Sequence, residues 1–244
     1  MRIAGLSALA ADVIAACQIL EGKGLVEAYG HVSARIPGSD LLLVTPRGGL
    51  GFVRARDLLV MDLTGRVVRG RSTPPLEMPM HTVVYRRRPE IGALCRTHSP
   101  MAVAWSTLGR SLPPAHGFGS FLGPGVPVFP KPDLITTEAL GAELAEALGT
   151  GEAVLMRGNG TLVVGRTLPE ACVRAIFLEE SARIQCVAAG AGQPLAMSDA
   201  EIRRRTDVPY DHYGRAWNYY RAKYAEGRRP RGEERRRRKE TRSR

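Results

Sequence analysis

The sequence predicts an α/β protein, because stretches with helical periodicity alternate with short apolar runs that end at turn residues. Apolar residues recur at helical spacing from Leu6 to Leu20, and Gly22 follows as a helix stop. The short apolar run Leu41–Thr45 ends at Pro46, as expected of a strand. With 244 residues, the chain is long enough to bury a full core.

The remaining elements follow from the same two patterns. Helical patterns cover residues 77–88, 100–108, 139–148, 168–188 and 210–224, and strand patterns cover residues 58–63, 66–68, 91–95, 153–156 and 161–164. Thr64-Gly65 and Arg157–Gly160 are expected to be hairpin turns, and Thr136 and Thr137 offer a cap for the fourth helix. Neither a repeat nor a polar linker divides the body, so we expect one domain over residues 1–226.

The positive charge is concentrated at the C-terminus. Of the formal net charge of +11, residues 227–244 carry +7, because this segment holds ten Lys or Arg and three Glu. A basic block without apolar residues is expected to be a disordered tail, with a weak tether to nucleic acid or an acidic surface as the alternative. A nucleic-acid partner is therefore not expected for the body of the protein.

Composition also excludes several classes of protein. No apolar run approaches the roughly 20 residues that a membrane span requires, and Asp12, Gln18 and Glu21 interrupt the segment where a signal peptide would be apolar. We therefore expect a cytoplasmic protein without a membrane partner. The cysteines lack paired short spacing and are expected to be buried thiols rather than disulfides or zinc ligands: Cys17, Cys95, Cys172 and Cys186.

Five ordered segments carry a resemblance to a known family. They are YGHVSAR at 29–35, VTPRG at 44–48, Glu77 with His81 and Tyr85, THSP at 97–100, and GNG at 158–160 followed by Gly165 and LPEA at 168–171. Together they resemble the class II aldolase/adducin family over about residues 8–190. The resemblance implies a three-layer α/β/α fold with a mixed central β-sheet and a cyclic homotetramer with active sites at subunit interfaces.

The resemblance also implies a metal site that this sequence alters. Aldolases and epimerases of the family hold zinc or a similar divalent cation with three histidines, and the matching positions here are Arg96, His98 and Asn159. Arginine is permanently cationic and cannot coordinate a metal. A zinc or manganese cofactor is therefore doubtful, with His98 as the remaining metal ligand. Either other groups such as Glu77, His81 or His116 rebuild the site, or Arg96 supplies the positive charge itself.

The phosphate end of the family's site is altered as well. Where sugar-phosphate members carry small polar residues, this chain has Pro75-Leu76, Arg47 and His31. Proline and leucine side chains cannot bind a phosphate, whereas a guanidinium fork suits a carboxylate. We therefore expect a small carboxylate substrate, with an aromatic acid as one form.

The matching positions supply the candidate site residues. Glu77 matches the family's acid/base glutamate and His98 is assigned as metal ligand or proton donor. Substrate binding is assigned to Arg47, Arg96, His31, Gly48 and Asn159. The alternatives are ion pairs at the surface or an interface for the two arginines, packing for His31 and a plain turn for Asn159. His81 is expected to support the helix, and His116 is a candidate lid residue.

These residues lead to one preferred function and two alternatives. The preferred function is a lyase that decarboxylates a hydroxylated aromatic dicarboxylate or a carboxymuconic semialdehyde-type acid, because a positive centre stabilises the carbanion that carbon dioxide leaves behind. The second is an aldolase, epimerase or dehydratase on a small hydroxy-carbonyl compound, with an atypical metal site. The third is a non-catalytic, adducin-like binding protein.

Overall fold

The computed structural model describes residues 6–226. The helices in this part of the chain are α1 (Leu6–Gly22), α2 (Met78–Arg87), α3 (Pro100–Ser106), α4 (Glu138–Leu148), α5 (Leu168–Ala189), α6 (Asp199–Thr206) and α7 (His212–Tyr220). The strands are β1 (His31–Arg35), β2 (Leu41–Val44), β3 (Leu59–Asp62), β4 (Val67–Arg69), β5 (Ala93–Thr97), β6 (Val128–Phe129), β7 (Ala153–Met156) and β8 (Gly160–Gly165).

The strands form one eight-stranded sheet in the order β4-β3-β2-β1-β5-β8-β7-β6. Neighbouring strands are antiparallel except β6 and β7, which are parallel, so the sheet is mixed. Alternate residues of β5 point to opposite faces, with Leu94 in one hydrophobic core and Cys95 in the other.

Helices cover both faces of this sheet. α2 and α4 pack together on the face that contains Leu94, whereas α1, α3 and α5 pack on the face that contains Cys95. The predicted three-layer α/β/α fold is therefore confirmed. All four cysteines are free, and three of them are buried, as expected from their spacing.

Two strands and one helix escaped sequence prediction: β1, α6 and β6, which is a two-residue strand in a segment rich in Gly and Pro. β1 is buried on both faces but contains the polar residues His31 and Ser33, so it lacks an apolar pattern. α6 buries no residue, and its visible signal is the capping box that Ser198 forms with Glu201. The last helical pattern is confirmed as α7 and continues as a π-helical turn over Arg221–Glu226.

The C-terminal segment over Arg221–Glu226 packs against α1. The ring of Tyr224 lies directly against Gly22 at the end of α1. Trp217 is buried in the core and Tyr213, Tyr220 and Tyr224 pack against it, whereas Tyr219 is 58% exposed. The basic tail over residues 227–244 lies outside the described residues. Within residues 6–226, the helices are all too short or too polar to span a bilayer.

Strand order brings three loop regions to one edge of the sheet. β1 and β5 are antiparallel with His31 opposite Arg96, so the start of β1 meets the end of β5. β8 lies on the other side of β5, and its hairpin turn with β7 contains Asn159. Gly158 in this turn has a φ of +68°, which favours glycine.

The turn between β7 and β8 generates a stability prediction. A Cβ at Gly160 would collide with the Thr97 carbonyl oxygen and lie 2.7 Å from Arg96 Nη1, whereas a Cβ at Gly158 meets nothing within 4 Å. We expect Gly160→Ala to lower the free energy of unfolding by roughly 3 kcal/mol because of this overlap. Gly158→Ala, the matched control, should cost only about 1 kcal/mol because of its backbone conformation. Urea denaturation measures both, and equal losses would contradict the prediction.

Candidate active site

The seven candidate site residues line one cleft of about 420 Å³ at this edge of the sheet. They are His31, Arg47, Gly48, Glu77, Arg96, His98 and Asn159. Their common location agrees with the expectation that they act together, although their individual roles stay predictions. Apolar side chains, including those of Pro75, Leu76 and Leu134, form the remaining wall.

Arg96 lies at the floor of the cleft with its guanidinium fixed on several sides. Its side chain is 1% exposed, and its Nε lies 3.3 Å from Glu77 Oε2. Nη2 donates a hydrogen bond to Asn159 Oδ1 at 2.9 Å, and Nη1 donates to the Thr97 carbonyl oxygen at 3.1 Å. Arg96 on β5 thus places a buried positive charge where the resemblance to the family implies a metal.

Glu77 precedes α2, but its carboxylate does not cap that helix. Instead, Oε1 accepts a hydrogen bond from the backbone N–H of Ile135 at 3.2 Å, and Oε2 lies between Arg96 and His31 Nε2, which is 3.5 Å away. Burial by itself raises the pKa of Glu77, but His31, Arg96 and the Ile135 N–H together lower this pKa to about 2. Glu77 is therefore an ionised carboxylate at neutral pH.

The two histidines beside Glu77 are buried behind the cleft. His31 Nδ1 lies 2.7 Å from His81 Nε2, and His81 Nδ1 lies 2.6 Å from Ser33 Oγ. Burial lowers the pKa of both imidazoles, so both are neutral at pH 7. His81 has a polar contact at each nitrogen and does not line the cleft, which fits the supporting role predicted for it.

His98 also lines the cleft and is half-buried. Burial, followed by the charge of Arg96, lowers the pKa of His98 to about 4. At neutral pH, His98 therefore presents a neutral imidazole to the cleft. The ring of Tyr29 approaches it edge-on, with ring centroids 6.0 Å apart.

Arg47 and Gly48 form part of the cleft mouth. The backbone N–H of Arg47 donates to the Thr73 carbonyl oxygen at 2.8 Å, and Gly48 has a φ of +128° that favours glycine. The side chain of Arg47 is exposed. Its position at the mouth suits an incoming anion, and the alternative of a surface residue is left open by its exposure.

The residues of the cleft do not fit the family's metal. Arg96 occupies one ligand position, and the oxygen of Asn159 at another is engaged by that guanidinium. Among residues 6–226, no group of three or more His, Cys, Asp and Glu side chains converges to hold a cation. Of the three proposed substitutes, Glu77 lines the cleft but is engaged by Arg96 and the Ile135 N–H. His81 is engaged by Ser33 and His31, and His116 packs edge-on against Phe118 outside the cleft. His116 is therefore neither a substitute ligand nor a lid over this cleft.

The buried atoms that lack hydrogen bonds indicate another kind of ligand. In the described part of the chain, Asn159 Nδ2 is a buried N–H donor without a hydrogen-bond partner, and Arg96 Nε has no partner besides its ion pair with Glu77. Both side chains line the cleft. A buried donor without an acceptor is costly, and an anionic oxygen would satisfy it. The donor set thus fits an acid better than a cation.

Sequence reasoning missed three contributors to the cleft. Ile135 supplies a backbone N–H to Glu77, and Leu134 and Tyr29 place large apolar surfaces at the mouth, with exposures of 56% and 75%. Tyr29 stands in the first family-like segment, which was the available signal. Leu134 and Ile135 lie in an irregular loop, whose path no local pattern predicts.

The buried pair of Arg96 and Glu77 generates a second prediction. Arg96→Leu leaves a largely buried carboxylate without its cation, so we expect the free energy of unfolding to fall by roughly 3–5 kcal/mol. Removing both charges in Arg96→Leu/Glu77→Leu should recover a large part of this loss, because no uncompensated charge stays behind. Urea denaturation of both variants provides the measurement, and an additive double variant would show that the two charges do not interact.

Comparisons with known proteins agree with this geometry. The profile of the Class II Aldolase and Adducin N-terminal domain matches residues 11–186. A 3,4-dihydroxyphthalate decarboxylase of Arthrobacter keyseri is 33% identical over 209 residues, which cover 79% of this chain and 84% of that protein. An L-fuculose phosphate aldolase of Methanococcus vannielii is 30% identical over 181 residues, which cover 71% of this chain and 93% of that protein.

A solved structure gives the same result for the fold. An L-fuculose 1-phosphate aldolase superposes with a TM-score of 0.77 at 27% identity, over 82% of this chain and 95% of that one. The family profile over residues 11–186 covers every strand and helix that builds the cleft. The chain belongs to the class II aldolase and adducin family.

Proposed function

We propose that this protein is a decarboxylase of a hydroxylated aromatic dicarboxylate and uses Arg96 in place of a metal. The chain is a lyase, the class that its decarboxylase and aldolase relatives share. The observation that carries the proposal is the buried guanidinium of Arg96, ion-paired with Glu77 and lying beside Asn159, whose Nδ2 has no hydrogen-bond partner. These donors favour a carboxylate substrate.

The shape and chemistry of the cleft support an aromatic acid. Pro75, Leu76 and Leu134 offer apolar surface to a ring, while Arg96 at the floor and Arg47 at the mouth offer one cation to each of two carboxylates. The relative from Arthrobacter keyseri acts, by its name, on 3,4-dihydroxyphthalate. An acid of this type carries both carboxylates and the ring that the cleft would accommodate.

The residues present supply the steps of a decarboxylation. The bond between the ring carbon and one carboxylate breaks, carbon dioxide leaves, and the electron pair stays on the ring. Ionised Glu77 takes the proton of a ring hydroxyl and returns it to that carbon, and solvent restores the hydroxyl. Arg96 stabilises the negative charge on the ring oxygen, because a fixed cation in a buried site needs no reorganisation.

The two alternative functions have less support. An aldolase on a sugar phosphate would need a phosphate seat, and Pro75 and Leu76 offer no side-chain hydrogen bonds to one. A non-catalytic binding protein would not need a carboxylate and a guanidinium buried together in a cleft beside an Asn159 Nδ2 that lacks an acceptor. The arrangement of Glu77 and Arg96 therefore favours a working active site.

We further propose a homotetramer in the cytoplasm. Tyr29 and Phe52 are 75% and 83% exposed, and Phe52 packs beside Gly49 next to the cleft mouth. Exposed aromatic side chains beside a functional site are typical of a surface that a partner covers. Light scattering coupled to gel filtration tests the assembly.

The proposed function is tested by carbon dioxide release. Purified protein given 3,4-dihydroxyphthalate should release carbon dioxide, and Arg96→Gln should lower kcat/KM by about 100-fold or more, because a charge that stabilises the transition state is lost. Arg110→Gln, at a cation–π contact with Trp105 outside the cleft, is the matched control and should act like wild type. Aldol cleavage of L-fuculose 1-phosphate without decarboxylation of any hydroxylated aromatic dicarboxylate would reject the proposal.

Replacement of the metal site can be tested by restoring it. Arg96→His/Asn159→His together with His98 recreates three imidazoles, and we expect this double variant to bind zinc stoichiometrically. Wild type should bind zinc far more weakly, because a guanidinium cannot coordinate. Isothermal titration with zinc measures both proteins. Equal, stoichiometric binding by wild type would show that other donors complete the site.

A further inference from the structure

A chain of four buried polar side chains runs from the cleft into the protein interior. His31 Nδ1 lies 2.7 Å from His81 Nε2, His81 Nδ1 lies 2.6 Å from Ser33 Oγ, and Ser33 Oγ lies 3.0 Å from the Tyr85 hydroxyl. All four residues are at most 5% exposed. His31 Nε2 is the atom of the chain that faces Glu77. The chain therefore connects the candidate base to residues that no substrate reaches.

Two regular elements hold this chain in register. His31 and Ser33 are two residues apart on β1 and share one face of the strand, while His81 and Tyr85 are four residues apart on α2 and share one face of the helix. The sheet and the helix pack against each other in the core. The ring positions are thus set by the fold and do not depend on a loop.

Counting protons fixes the direction of the hydrogen bonds. A neutral imidazole has one N–H donor and one acceptor, so the role of one ring nitrogen decides the role of the other. Glu77 is an ionised carboxylate, and an N–H on His31 Nε2 is the partner that it favours across 3.5 Å. An unprotonated Nε2 would instead set a lone pair against the carboxylate oxygen.

The same count continues along the chain. With its proton on Nε2, His31 accepts at Nδ1 from the Nε2–H of His81. His81 then accepts at Nδ1 from the Ser33 hydroxyl, and Ser33 Oγ accepts from Tyr85, whose proton is shared with the Ser33 carbonyl oxygen at 3.1 Å. In this direction each atom of the chain except His31 Nε2 has a hydrogen-bond partner, and His31 Nε2 faces Glu77 Oε2 at 3.5 Å.

We propose that His81 is a positioning residue which, with Ser33 and Tyr85, fixes His31 as the tautomer protonated on Nε2, so that His31 holds the carboxylate of Glu77 against Arg96. The tautomer follows from the contact geometry and the negative charge of Glu77, and its effect on turnover rests on the proposed function. Tyr85 is 1% exposed and has one proton, so the chain ends there. The chain therefore holds the His31 ring in one tautomer and does not conduct protons.

The tautomers can be read directly by 15N NMR. The full-length protein has five histidines, and labelling them with 15N shows which ring nitrogens carry protons. The spectra of His31→Asn and His81→Gln assign the two signals. We expect both rings to be neutral and protonated on Nε2. Protonation on Nδ1 in both rings, or a cationic His31, would overturn the proposal. This result does not depend on any substrate, so it stands or falls apart from the decarboxylase activity.

Kinetics then separate positioning from packing. His81→Leu removes the donor to His31, so kcat should fall about tenfold with KM changed less than twofold, as for other residues that orient a functional group. His81→Gln keeps an amide N–H donor and should retain kcat within threefold. His212→Gln, which lies on the ring of Phe121 outside the cleft, is the control. A folded His81→Leu protein with wild-type kcat, or a glutamine variant as slow as the leucine variant, would overturn the role.

A second variant decides the question where His81→Leu does not fold. Ser33→Ala removes the donor to His81 Nδ1 and leaves the packing of both rings nearly intact. We expect the His81 signal in the 15N spectrum to show mixed tautomers and kcat to fall several-fold. Unchanged signals together with an unchanged kcat would reject the proposal.

Discussion

The structure of the cleft depends on a buried ion pair between Arg96 and Glu77. A guanidinium that is 1% exposed is stable only beside an anion, and the carboxylate of Glu77 supplies it at 3.3 Å. The remaining contacts are arranged around this pair. Arg96 Nη1 and Nη2 each donate one hydrogen bond, to the Thr97 carbonyl oxygen and to Asn159 Oδ1. His31 and the Ile135 N–H approach the carboxylate. One substitution from imidazole to guanidinium thus changes the charge of the whole site.

Much of the fold was predictable from local patterns, and the exceptions have physical causes. The helix over Leu6–Gly22 and the hairpin turn around Gly158 carry strong periodic and turn signals. β1 was missed because its buried residues include His31 and Ser33, whose partners come from α2. Such a strand looks polar until the residues that satisfy it are known.

The candidate site was predictable as a set of positions but not as a network. The family-like segments identified Glu77, His98 and Arg96, and these residues do line one cleft. No sequence pattern showed that Arg96 would contact Asn159 or that His31 would contact His81, because these contacts join residues 63 and 50 positions apart. Likewise, His116 stood in a loop of suggestive composition, and its packing against Phe118 became visible only in three dimensions.

In the proposed decarboxylase, the cation of the site is the guanidinium of Arg96, which is covalently part of the polypeptide. Adjacent hydroxyls on an aromatic ring chelate divalent cations, so a substrate or product of that kind can strip a bound metal from its own catalyst. A guanidinium that is part of the polypeptide and anchored by Thr97 and Asn159 cannot be extracted in this way.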